Sequence, residues 1–138
     1  MWNSFQRERL AAEKLLVAHR MPGFDFVNPT GNTHVRGYVR TSANLFTIQI
    51  AIPAQYPFEE PRLFIVYPRP LLMRDGRPLT AMGTSAEFHV HQSDADGWVE
   101  ICHCRDWTAS NTIVGVLLKA HLWCEAFCGY MRTGKSLS

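Results

Sequence analysis

His34-Val35-Arg36-Gly37-Tyr38-Val39-Arg40, then Thr41-Ser42-Ala43-Asn44, then Leu45-Phe46-Thr47-Ile48-Gln49-Ile50-Ala51-Ile52 is the stretch that decides the fold. Both outer segments alternate apolar and polar side chains, the period of a half-buried strand, and the four residues between them are turn formers. Phe46 reads as an exception to the period of the second segment. A third strand is expected over Arg62-Leu63-Phe64-Ile65-Val66-Tyr67, entered through Tyr56-Pro57-Phe58-Glu59-Glu60-Pro61. Short turns between consecutive strands make an antiparallel meander the simplest topology.

Towards the N-terminus, Trp2 to Arg20 reads as an amphipathic helix covering a core. Phe5, Arg9, Ala12 and Leu16 recur at helical spacing, with Leu15 and His19 beside them. Asn3 or Ser4 is a natural cap, and Pro22-Gly23 a natural stop. On the other side of the strands, Pro68 to Glu87 has no regular period, and a connection of this kind is more often functional or mobile than structural. Phe88-His89-Val90-His91 is expected as a short fourth strand. The last helix is marked by Ile113, Val114, Leu117, Leu118, His121, Leu122, Glu125, Ala126 and Tyr130, widened by Trp123 and Phe127. Ser110 or Asn111 is its expected cap and Gly134 its stop. The expected class is α+β: an N-terminal helix, a four-stranded antiparallel meander, an irregular cysteine loop and a long C-terminal helix, in one domain over residues 1–138.

Composition narrows the function. With 138 residues, 46% hydrophobic and 19% charged, the chain has the balance of one ordinary globular domain. A formal charge of +2, evenly spread, gives no argument for nucleic acid. No run of 18 or more apolar residues implies a membrane span, and no secretory apolar region precedes Arg20, so the cytoplasm is expected. The four cysteines, Cys102, Cys104, Cys124 and Cys128, crowd the C-terminal part, unlike a disulfide scaffold. Cys124 and Cys128 lie one helical turn apart among aromatic residues and read as core. No phosphate loop, serine elbow or carboxylate pair stands out, and no cofactor is implied.

Chemistry therefore falls to the segment from Phe88 to Trp107, which holds three His and two Cys. One reading is a zinc site built from His89, His91, Cys102 and Cys104, although structural zinc sites favour wider cysteine spacing. The other is a nucleophilic cysteine in an irregular loop, its thiolate promoted by neighbouring imidazoles or a helix N-terminus. A third, plainer one leaves Cys102 packed beneath Trp107.

The run Tyr56-Pro57-Phe58-Glu59-Glu60-Pro61 resembles the Tyr-Pro turn after the third strand of ubiquitin-conjugating enzymes. Further along the chain, the succession His89-Val90-His91, Gly97, Ile101-Cys102-His103, Trp107 and a helix resembles that family's active-site segment, with His-Val-His standing where the family has His-Pro-Asn. The closing stretch, Trp123 through Tyr130 to Thr133-Gly134-Lys135, resembles compact bacterial members, several of which act in antiphage operons of the CBASS type. The resemblance implies that Cys102 accepts the C-terminus of a donor as a thioester and passes it to an amine. The implied donor is a ubiquitin-like protein or a cGAS-like nucleotidyltransferase with a C-terminal Gly, with an activating enzyme as a further partner. His91 is the first candidate for oxyanion donor or proton shuttle, with His89 and His103 behind it. Asp94, Asp96 and Asp106 are read as turn residues or as groups that polarise the amine. Cys104, expected across the segment from Cys102, is read as core or bystander, and Trp107 as lid or floor of the loop. Arg7, Arg9, Lys14, Phe58 and Pro70 are implied partner contacts. The alternatives are a non-catalytic adaptor of the same fold and the zinc module.

Overall fold

The computed structural model describes residues 1–93 and 97–137. Helix α1 (Ser4–Arg20) is followed by strands β1 (Asp25–Val27), β2 (His34–Arg40), β3 (Leu45–Ala51) and β4 (Arg62–Tyr67). A 3-10 turn (Leu79–Met82), β5 (Val90–His91), β6 (Val99–Ile101) and helix α2 (Ile113–Thr133) complete the chain. The class is α+β, as expected, but the sheet has six strands rather than four, in the order β1-β2-β3-β4-β6-β5 with every neighbouring pair antiparallel. The first four strands form the meander. β6 then crosses back beside β4, and β5 closes the edge. The two unexpected strands, β1 and β6, have three residues each, too few to display a period.

In β2, Val35, Gly37 and Val39 are buried, and in β3 Phe46, Ile48 and Ile50 are. Phe46 is therefore in phase, and Leu45 is the exposed apolar residue of that strand. Gly37 leaves no room for a side chain: a Cβ there would run into the Phe24 ring and meet the Gly23 carbonyl at 2.7 Å. The irregular connection after β4 is ordered by packing: Leu71, Met73, Leu79 and Phe88 all enter the core. The Trp123 indole N–H donates to the Phe88 carbonyl at 2.9 Å, fastening this connection to α2.

Both helices contribute to one core against the inner face of the sheet. Asn3 caps α1 through a reciprocal pair: its Oδ1 accepts from the Gln6 amide at 2.8 Å, and Gln6 Oε1 accepts from the Asn3 amide at 3.1 Å. The buried face of α1 is Gln6, Leu10, Glu13 and Val17. The expected face is thus turned by about one residue: Phe5, Ala12, Leu15 and His19 are exposed, and Arg9 and Leu16 half-buried. α2 is capped by Thr112, whose hydroxyl accepts from the Gly115 amide at 3.1 Å, rather than by Ser110 or Asn111. It ends, as expected, at a left-handed Gly134 with φ of 80°. Ile113, Val114, Leu117, Trp123, Phe127 and Tyr130 are buried as expected, whereas Leu118, His121, Leu122, Glu125 and Ala126 face solvent. α2 is the one helix among the described residues long and apolar enough to cross a membrane by length and composition, yet over half of its apolar window is buried in this core.

Candidate active site

β6 delivers the cysteine segment. Its ladder with β5 pairs Val90 with Ile101 and His91 with Glu100, and the Cys102 amide adds one more rung by donating to the His89 carbonyl at 2.9 Å. His89 holds φ of 53°, a left-handed value that His tolerates better than branched residues, and this bend immediately precedes the edge strand. Burial then alternates along the extended chain: Ile101 buried, Cys102 half-buried, His103 buried, Cys104 half-buried. Cys104 is therefore neither a core residue nor on the far side from Cys102, contrary to expectation.

His89 and His91 are exposed. His91 edges a small hollow of about 80 Å³ with Glu60, Arg62, Glu100 and His103. In it, Arg62 forms a two-pronged pair with Glu100, at 2.7 and 3.2 Å. His103 is the third imidazole and acts as a strut. Its Nε2 lies 2.7 Å from the Pro61 carbonyl and 3.3 Å from Glu60 Oε1, and its ring meets Trp107 edge-on.

Trp107 is the floor of the loop. Its indole N–H donates to the Pro57 carbonyl at 2.8 Å, and its ring packs against Tyr56. Beside it opens a cleft of about 320 Å³ bounded by Cys104, Trp107, Asn111 and the first turns of α2 as far as Lys119. The Asn111 carboxamide donates to Cys104 Sγ at 3.5 Å. Cys102 does not border this cleft.

Beneath the loop lies a buried polar network that sequence reasoning missed. The Glu13 carboxylate accepts from the Tyr56 hydroxyl, from the Ile113 amide at 2.7 Å and from Arg9 Nε at 3.2 Å. Arg9 also donates to the Ala109 and Asn111 carbonyls, each at 2.7 Å. Burial, with the Glu13 carboxylate adding to it, pushes the Tyr56 phenol well above its ordinary pKa. One carboxylate thus joins α1, the Tyr-Pro turn and the start of α2. Arg9 and Glu13 stand four apart on a helix, which was the available signal; what they grip could not be read from that spacing.

All four cysteines are free. Cys124 and Cys128 are buried, in line with their reading as core. Cys128 Sγ lies 3.2 Å from the Thr41 hydroxyl, and burial raises the Cys124 thiol further from ionisation. Among the described residues no group of three or more His, Cys, Asp or Glu side chains is placed to hold a metal ion, so the expected set His89, His91, Cys102 and Cys104 does not assemble. Asp106 is exposed, and Asp94 and Asp96 lie outside the described residues. Of the suggested partner contacts, Arg7, Lys14, Phe58 and Pro70 are exposed, while Arg9 belongs to the buried network.

No family model, curated protein or solved structure matches this chain.

Proposed function

We propose that this protein is a ubiquitin-conjugating-type acyl carrier in which Cys102 is the nucleophile. The observation that supports this most is the setting of Cys102. It is half-exposed at the end of a sheet strand, held by a backbone rung to His89, and followed by an irregular loop pinned to the Tyr-Pro turn by Trp107. A fixed mount for an accessible thiol is what a thioester carrier needs, because the acyl group must stay reachable by an incoming amine. In the reaction, the Cys102 thiolate attacks an activated C-terminal carbonyl of a ubiquitin-like protein or a nucleotidyltransferase donor. The activating group leaves, and an amine then displaces the thiolate. His89, on the rung beside Cys102, is better placed than His91 to donate to the oxyanion or move a proton, while His103 serves the fold of the loop.

A second reading moves the nucleophile to Cys104, favoured by the Asn111 carboxamide aimed at its sulfur and by the adjoining cleft. Here Asn111 would donate to the oxyanion. Intact mass spectrometry after incubation with candidate donors and an activating enzyme tests both. A thiol-sensitive mass addition that Cys102→Ala abolishes and Cys104→Ala retains supports the first reading, and the reverse supports the second. No adduct in the wild-type protein with every donor present refutes both and leaves a non-catalytic adaptor.

A further inference from the structure

The outer face of the sheet carries two large, exposed aromatic rings that take part in neither the core nor the cysteine loop. Tyr38 is 66% exposed and Tyr67 61%. They lie in one cross-strand row, Tyr38 on β2 opposite Thr47 on β3, and Thr47 opposite Tyr67 on β4. Two strand spacings separate them, about 10 Å, with only the small Thr47 between.

Guanidinium groups outnumber carboxylates on this face around that row. Arg36 and Arg40 flank Tyr38 along β2 and are exposed. Arg40 stands opposite Leu45, and Arg36 opposite Gln49, whose side-chain oxygen accepts from it at 2.9 Å. Of the two carboxylates on the described outer face, Glu100 is held by Arg62, and Asp25 lies opposite Arg36 on the edge strand. None is in register with Tyr38, Thr47, Tyr67 or Arg40. Exposed aromatic rings on a flat sheet, bordered by guanidinium groups, match the chemistry of unpaired bases and their phosphates: rings stack on any base, and arginine pairs with phosphate. A protein partner would be served by an accessible apolar centre with a charged rim, whereas here Thr47 and Gln49 are polar and Phe64, beside Gln49, is buried against Trp98 with Arg62 over its ring.

We infer that this face binds single-stranded nucleic acid, with Tyr38 and Tyr67 as stacking platforms and Arg36 and Arg40 on the phosphates. The small overall charge hides the site, since its cations matter through their grouping. The inference uses none of the residues assigned to conjugation.

The test is fluorescence anisotropy with labelled ten-nucleotide oligo-U and oligo-dT, titrated with the whole protein at several salt concentrations. Binding should weaken with salt, with a log–log slope of about −1.4 for two neutralised phosphates. Tyr38→Ala with Tyr67→Ala should weaken it at least about tenfold, whereas Tyr38→Phe with Tyr67→Phe should retain it. Tighter binding of oligo-U or of oligo-dT identifies the source, and either supports the site. Failure to bind both strands at low salt overturns it, as does a duplex bound as tightly as the single strands. Unchanged binding in the double alanine variant, whose substitutions are on the surface, overturns it equally.

Discussion

Glu13→Ala is the most informative single change in the scaffold of the cysteine loop. Glu13 is 4% exposed and satisfies the Tyr56 hydroxyl, the Ile113 amide and Arg9 together. Removing its carboxylate strands two buried donors and leaves the half-buried Arg9 without its counter-charge. Breaking a buried ion pair from one side costs about 3–5 kcal/mol, and each lost hydrogen bond to a charged group about 1.5–3 kcal/mol when counted alone. These figures overlap rather than add, so the expected loss is about 3–5 kcal/mol, a large part of the roughly 5–15 kcal/mol that holds a domain together. Tyr56→Phe deletes one donor to the carboxylate and leaves Glu13 its other two partners, so it should cost about 1.5–3 kcal/mol. Urea denaturation of wild type, both single variants and the double variant closes a mutant cycle, in which the pair should couple by about 1 kcal/mol or more. A loss under about 1 kcal/mol for Glu13→Ala would refute the claim that this carboxylate ties the three elements together.

Three further outcomes are expected. Because the folded Tyr56 phenol resists ionisation, the native state holds its proton after the unfolded chain has released it. The stability it contributes is present below the ordinary tyrosine pKa of about 10 and declines as pH rises above it, and Tyr56→Phe should make alkaline denaturation curves shallower. Iodoacetamide at neutral pH, followed by peptide mapping, should label Cys102 and Cys104 in the native protein, and Cys124 and Cys128 only after unfolding. Gly37→Ala should destabilise by about 1–3 kcal/mol in the same urea assay, since the new methyl meets a ring and a carbonyl that cannot both retreat; an unchanged midpoint would show that β2 and the Phe24 segment yield freely.

The parts of the site legible in the sequence were those with local signatures. The cysteine segment, the Tyr-Pro turn and Trp107 were all singled out, and they lie together, the Trp107 indole bonded to the Pro57 carbonyl. Less legible was the division of labour among the polar residues. His103 looked like one imidazole of three, but a carbonyl 2.7 Å away makes it a strut. Asn111 looked like a helix cap, but Thr112 takes that place and frees the Asn111 amide for Cys104. Such assignments depend on partners distant in the chain, and spacing carries no record of them.

By itself the sequence determined what short-range chemistry dictates: β2 and β3 from their two-residue period, the strand at Arg62–Tyr67, both long helices, a cap at Asn3 or Ser4 and the Gly134 stop. All of these arise from backbone sterics and neighbours within a few residues. Only the tertiary structure decided which face of α1 and α2 is buried, that β1 and β6 join the sheet, and that Glu13 and Arg9 hold the cysteine loop from below. In each case the outcome rests on burial against residues remote in sequence, and burial is a property of the assembled core rather than of any segment.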